Sequence, residues 1–265
     1  MTSHHPRSEY AREIRKALTR TTAREANPSA RHKKCIVFTC GNPTQTFAGK
    51  GLSQRLCSVH VRFAQRHGTP FRKSYSAAEL RPYHWAARRW LKENSNDSLV
   101  KRIDLTFEAM LVGVGKPEIA TRMIRADAGQ KAKNALARMR VRGVKPSRLM
   151  IIVLATHAAV KADQSFSHRG KEFLHVQIAR QAHRLAARFV PKGQEDKIKD
   201  GRKWGFKNFG RSAGLGLREL GKILDEVGGH LVDRALPHIL ELKVERFGHY
   251  ASRHAFEHSR LSVNA

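Results

Sequence analysis

Acidic residues are what this sequence has least of. Only 22 Asp and Glu stand against 51 Lys and Arg in 265 residues, a formal net charge of +29 at pH 7 and a sequence pI near 11.0. Such a surplus repels itself and destabilises a compact state unless polyanions neutralise it. It argues against an acidic small-molecule enzyme and against a secreted scaffold. It makes nucleic acid the default partner, with an anionic membrane surface a distant second. Cysteine is scarce as well. Three cysteines leave one over in any disulfide framework, so the thiols point to another use. Long apolar runs are missing: the longest, Leu149 to Val160, contains Thr156 and His157 and falls short of the roughly 20 residues a membrane span needs. Residues 1–30 have no apolar stretch of the secretory kind, and Glu9, Glu13 and Glu25 argue against an organellar transit peptide. The expectation is a cytoplasmic chain with no membrane partner. Its length allows one or two domains with a core that needs no disulfide staples.

What is present is mostly helical periodicity. Residues 1–34 read as a basic arm, with Tyr10, Ile14 and Leu18 spaced for a short helix over 8–25. Residues 35–75 hold every cysteine and form a separate module. Residues 76–98 read as a linker with a bridging helix. Ser76 and Glu79 have capping-box spacing, but Pro82 favours a helix that starts there and runs to about Lys92. Residues 99–265 read as a helical domain. Leu99, Ile103, Phe107 and Met110 make one stripe, Pro117 opens a helix with Ile119 and Met123 inward, and another helix spans about 130–142 before Gly143. Residues 148–162 are apolar on most faces, which predicts a central helix, although Ile151-Ile152-Val153 would also suit a strand. Leu174, Ile178, Leu185 and Phe189 make a further stripe, and two last helices are expected over about 214–227 and 238–259. The fold class is therefore mainly α: a small metal module followed by a helical bundle.

The cysteines are arranged as Cys35-x4-Cys40-x16-Cys57-x2-His60. Three thiolates and an imidazole supply the closed tetrahedral set that structural zinc requires. Gly41 follows the second ligand, where a tight knuckle must turn, and Gly49 and Gly51 fall where a hairpin would reverse. Leu56, His60, Phe63 and His67 recur on one helical face, toward the metal and a small core. Arg55, Arg62 and Arg66 lie on a neighbouring face, interrupted by Val59, and Gly68 and Pro70 stop the helix. One face would hold zinc while the next offers guanidinium groups to phosphates or guanine edges.

The stretch Leu56 to Pro70, preceded by Cys35-x4-Cys40-Gly41, resembles the zinc modules of phage and mobile-element proteins, which often accompany HNH-type endonucleases. Those modules look like treble-clef fingers: a knuckle, a hairpin, and a helix that gives the last two ligands. On about 40 residues the resemblance implies Cys35, Cys40, Cys57 and His60 as metal ligands, and a bacterial nucleoid-associated, phage or mobile-element setting. The His, Asp and Asn constellation of an HNH nuclease is not found in the sequence.

Further candidates for nucleic-acid contact are Arg72 and Lys73 after the module and Arg88 and Arg89 on the bridging helix. The loop 191–213 adds Lys199, Arg202, Lys203, Trp204, Lys207 and Arg211, which interleave with Phe206 and Phe209. Rings can stack on bases while cations neutralise the backbone. Packing competes with that role at Tyr83, Trp85 and Trp90, and at Phe209. His249, His254 and His258 cluster near the C-terminal end, where a polar helical surface competes with a second metal site. Gly113-x-Gly115-Lys116 lacks the spacing of a phosphate loop. The reading is a zinc-containing nucleic-acid-binding protein, with DNA ahead of RNA and a possible protein partner for the helical domain. A metal-dependent nuclease is one alternative, and an RNA-binding or ribosome-associated protein the other.

Overall fold

The computed structural model describes residues 33–118, 123, 125–163, 170–186 and 213–249. The chain divides into two compact units, Met1–Arg72 and Lys73–Ala265. The first unit carries one described helix, α1 (Ser58–His67). The second is a helical bundle: α2 (Ala77–Glu93), α3 (Ser98–Gly113), α4 (Ala128–Val141), α5 (Pro146–Ala162), α6 (Lys171–Ala186), α7 (Ala213–Gly228), a short 3-10 turn (Gly229–Leu231) and α8 (Val232–Phe247). Among the described residues the only β pairing is an isolated bridge between Lys34 and Pro43. The fold is mainly α, as the periodicity predicts.

Helix α5 organises the second unit. Ten of its residues are buried, from Leu149 through Thr156 and then Ala158 and Ala159. A helix apolar on every face must be covered on every face, and α2, α3, α6, α7 and α8 all pack against it. The Ile151-Ile152-Val153 run is therefore helical, because only a helix places those side chains against several neighbours at once. Thr156 enters this core by donating back to the Ile152 carbonyl at 2.6 Å and accepting from Gln181 Nε2 at 2.6 Å.

Residues 76–98 are not a bridge. Tyr75, Leu80, Tyr83, Ala86, Ala87, Trp90 and Leu91 belong to the same hydrophobic core as α5, so α2 is a full member of the bundle. Its start also differs from expectation. Ser76 caps the helix: its side chain accepts from the Glu79 amide at 3.2 Å, while the Glu79 carboxylate accepts from the Ser76 amide at 2.6 Å. Pro82 lies inside the second turn. Pro237 repeats the case in α8, which begins at Val232 rather than 238. A proline at the sixth helical position deprives only the carbonyl of the second residue, here Ala78 and Asp233. Both residues are exposed, so water can replace the lost donor. Helix α8 ends at Phe247 rather than near 259, with Gly248 beyond it at φ +74°.

The α3 stripe is rotated from the expected one: Val100, Ile103, Phe107 and Leu111 are buried, while Leu99 and Met110 are only partly covered. Met123 is buried as expected; Ile119 lies outside the described residues. So do the expected N-terminal helix, Phe189, and the later part of the helix predicted to run to 259.

Two polar features of the bundle carry consequences. Asp225 on α7 accepts from His157 Nε2 on α5 at 2.6 Å and from His175 Nε2 on α6 at 3.2 Å. Burial acts to raise the Asp225 carboxyl pKa, but the two imidazole hydrogen bonds and charges outweigh it and hold it well below the usual carboxylate range. Nearby, Gly221 lets α7 approach α6 closely: a Cβ there would clash with the His175 carbonyl oxygen. Arg138 on α4 is the opposite case. Its side chain is 2% exposed and bonds through Nε to the Asn134 carbonyl at 3.3 Å, yet Nη2 finds no partner among the described residues. Burial lowers its pKa to about 10.

Asp225→Asn is expected to destabilise the protein by about 1–3 kcal/mol, because the amide nitrogen cannot accept from either imidazole. The wild-type carboxyl has a folded pKa below its unfolded one. Its contribution is therefore present above about pH 4 and lost as pH falls through the acid range; thermal melts of both proteins between neutral and acid pH should converge toward acid. Arg138→Leu is expected to raise the melting temperature, since it removes a buried, incompletely bonded charge. A lower melting temperature would show that the guanidinium is compensated.

Candidate metal centre and its basic surroundings

The first unit builds its site from a loop and the start of a helix. Cys35 donates its amide to the Asn42 carbonyl at 2.9 Å, and Cys40 donates to Val37 at 3.0 Å, folding residues 35–42 into a knuckle. The residue in the left-handed region is Thr39, at φ +66°, and not Gly41. The turn thus lies one residue before Cys40. A β-branched residue in that region is strained. Lys33 and Lys34 belong to the knuckle rather than to an arm, because the Thr44 amide donates to the Lys33 carbonyl at 3.1 Å.

The chain then reverses through a loop rather than a laddered hairpin. Thr46 donates to Ser53 at 3.1 Å and Gln45 to Leu56 at 2.9 Å. Gly49 turns at φ +62°. Thr44 is fully buried.

Cys57 is the N-cap of α1 and His60 its third residue. That offset places both donors on the same side of the first turn. The four ligand atoms, the Sγ atoms of Cys35, Cys40 and Cys57 and the Nδ1 of His60, all lie within 4.8 Å of one another. Cys35 Sγ and Cys57 Sγ are 3.4 and 3.3 Å from His60 Nδ1, and Cys40 Sγ is 3.9 Å from Cys57 Sγ. A tetrahedral zinc site with bonds of about 2.3 Å to sulfur and 2.0 Å to nitrogen has edges of about 3.5–3.8 Å. The spacing fits those edges and is far longer than the ~2.0 Å of a disulfide. The residues can hold a metal ion, and the donor set is compatible with zinc.

The electrostatics favour a thiolate at Cys57. Burial acts to raise its pKa, but the amides of His60 and Val59 and the His60 ring donate toward the sulfur and bring it down to about 6. At Cys40 the amide of Asn42 acts to lower the pKa, but burial and the two neighbouring thiols prevail and push it up. A cation among the three sulfurs would remove that mutual repulsion.

The helix beyond the ligands divides as the sequence predicts. His67 is buried and its ring lies 4.4 Å from that of Phe63, which in turn meets His60 edge-on at 6.4 Å. Arg55, Arg62 and Arg66 are exposed, as is Val59 among them. Arg62 donates to the Ser58 carbonyl at 3.2 Å, which holds its side chain along the helix. Arg72 is half-buried at the end of the unit.

The remaining predicted contacts are distributed differently. In the second unit Lys73 and Arg88 are exposed. Arg89 is engaged: it pairs with Glu93 at 2.8 Å and lies over Trp85 at 5.6 Å. Trp85 also packs edge-on against Phe247 at 5.6 Å and beneath Arg246 at 4.4 Å, while Tyr83 and Trp90 are buried. These rings serve packing. Lys199, Arg202, Lys203, Trp204, Lys207 and Arg211 lie outside the described residues, as do His254 and His258. The His249 carbonyl accepts from the nearly buried Lys243.

The metal reading predicts that the purified chain binds a single zinc with high affinity, measured by metal analysis after gel filtration. Cobalt substitution should give thiolate charge-transfer and tetrahedral d–d bands. Cys57→Ser should lower zinc affinity at least about 100-fold and destabilise the first unit, given that structural zinc contributes roughly 10 kcal/mol or more to folding. Full zinc content in Cys57→Ser would exclude the site.

The chain matches no protein-family model, no curated protein and no solved structure, so the Cys3His geometry and the charge around it are what bear on function.

Proposed function

We propose that the protein is a zinc-containing nucleic-acid-binding protein that prefers DNA to RNA, and that its small unit is a structural zinc module of the kind its resemblance to phage and mobile-element modules implies. The observation that carries this reading is the pairing of two metal-ligand positions, the N-cap Cys57 and His60 of α1, with the exposed Arg62 and Arg66 on the helix and Arg55 just before it. Zinc fixes the helix, and the helix presents guanidinium groups. Arginine at such a position can bond phosphate oxygens or the O6 and N7 atoms of guanine.

The net charge supports the same partner. A chain at +29 gains most of its affinity by releasing the counterions condensed on a polyanion, so its binding weakens steeply with salt. Its role here is binding. Zinc in a closed set of four protein ligands keeps no open position for a substrate or an attacking water, which suits a structural ion.

Supercoiled plasmid incubated with zinc-loaded protein and Mg²⁺ tests the proposal. Retardation that disappears when the protein is stripped, leaving supercoiled DNA, is the expected result. It should weaken by about 10-fold or more when salt rises from roughly 50 to 200 mM. Arg62→Gln with Arg66→Gln should weaken binding while keeping the zinc. Nicked or linear plasmid that a chelator prevents would instead identify a nuclease. Tighter binding to structured RNA than to duplex DNA would reverse the proposed preference.

A further inference from the structure

Between Glu25 and Glu79 the sequence has no acidic residue, so the described part of the first unit carries no carboxylate of its own. Apart from its thiols, its ionisable side chains are all basic, and Lys34, Lys50 and Arg55 are exposed. Among them stands an aromatic ring without a packing role. Phe38 is 90% exposed, more than any other large apolar residue among the described ones. Phe47 is 51% exposed and has Lys33 Nζ over its ring at 5.8 Å. Phe38 meets no ring or cation among the described residues.

The backbone holds this ring out on a constrained turn. The Cys40 amide donates to the Val37 carbonyl at 3.0 Å, which closes four residues with Phe38 and Thr39 at the corner. Thr39 takes φ +66° at the third position, where such turns ordinarily use glycine. A strained residue of this kind persists only where its surroundings over-determine it. Here both flanks are pinned: the Cys35 amide donates to the Asn42 carbonyl, and Cys35 and Cys40 both belong to the metal-ligand group. The turn is also tied to the basic part of the unit. Two residues before the ring, the Ile36 amide donates to the Arg55 carbonyl at 2.9 Å. A ring on a fixed turn loses little freedom on binding. Beside exposed cations it suits a partner that offers a flat apolar face and negative charge together, and a nucleotide offers both.

We propose that Phe38 stacks on an unpaired nucleobase, so that the chain prefers DNA carrying a bulged base to fully paired duplex. The proposal rests on the nucleic-acid reading above and names the kind of DNA that the small unit selects. Stacking one base on an aromatic ring is worth about 5- to 150-fold in affinity. Unstacking a paired step costs about as much or more, so one ring does not open an intact duplex. A base already out of its pair carries the least of that cost. The cations bind phosphates in both kinds of DNA, and the ring adds the difference between them. Every base has a π-face, so the selection is for the unpaired state and is tolerant of sequence.

The test uses full-length, zinc-loaded protein and two otherwise identical DNA duplexes, one fully paired and one with a single bulged fluorescent adenine analogue. Affinity is measured by the anisotropy of an end label, and stacking by quenching of the analogue. The wild type should bind the bulged duplex about 5- to 150-fold more tightly than the paired one and quench the analogue. Phe38→Ala should lose both the preference and the quenching. It should keep its zinc content, its affinity for paired duplex and its salt slope, because no charge is removed. Phe38→Trp should retain the preference, and Phe47→Ala should leave it in place. Phe38 is exposed, so its substitution removes no core packing. Equal wild-type affinity for the two duplexes, or a preference that survives Phe38→Ala, would overturn the stacking proposal while leaving the nucleic-acid reading intact. An equal loss on both duplexes in Phe38→Ala would assign the ring to paired DNA and overturn the unpaired-base assignment. Binding to phosphatidylserine vesicles that Phe38→Ala abolishes, with the duplex preference unchanged, would assign the ring to a lipid surface and overturn it as well. Absence of DNA and RNA binding by the wild type would overturn both readings.

Discussion

The second unit depends on the burial of α5. A helix with ten buried residues cannot choose a solvent face, so the chain must supply cover from all sides. That requirement draws α2 into the core, brings α6 and α7 together at Gly221, and sets the His157–Asp225–His175 bridge between three helices. The same packing fixes the start of α5 beside Arg88, because the helix can move only with its whole coat. The gathering of Arg88, Arg142, Lys145 and Arg148 at that end of α5 is thus a by-product of an apolar constraint.

The scarcity of acid shapes what remains. Asp97 caps α3 through the amides of Leu99 and Val100 and also pairs with Arg234. Asp127 caps α4, Glu79 completes the capping box of α2, and Asp225 joins two imidazoles. These acids hold helix ends and helix crossings. Even arginine is recruited to a helix end: Arg140 donates to the Val112 and Gly115 carbonyls after α3. With these acids fixed in structural positions, Arg55, Arg62 and Arg66 face solvent. A polyanion is the partner that such a distribution suits.

The unit that holds the Cys3His group follows a different logic. It has few buried large residues, and Phe38, Phe47, Leu52 and Phe71 remain exposed. An apolar core on that scale contributes little, and a metal held by Cys35, Cys40, Cys57 and His60 would supply the organisation that hydrophobic burial supplies in a larger domain. The strained φ of Thr39 and the burial of Thr44 both lie on the path that brings Cys35 and Cys40 toward Cys57.

Much of this was legible in the residue order. The ligand set could be read because chelation imposes a short local spacing, Cys-x4-Cys and Cys-x2-His, and because zinc uses few residue types. The helices could be read from their 3.6-residue stripes, and α5 from having no polar face. Prolines misled at Pro82 and Pro237: whether a helix continues through one depends on whether water reaches the carbonyl it leaves behind, and exposure is a tertiary quantity. The Arg88, Arg142, Lys145 and Arg148 groove could not be read at all, since its members are separated by up to sixty positions and share no period. Sequence alone determined the charge, the candidate metal donors and the helical class, because each is written in composition or local spacing. Only the folded bundle decided which cations meet, because that depends on how helices far apart in the chain are packed around α5.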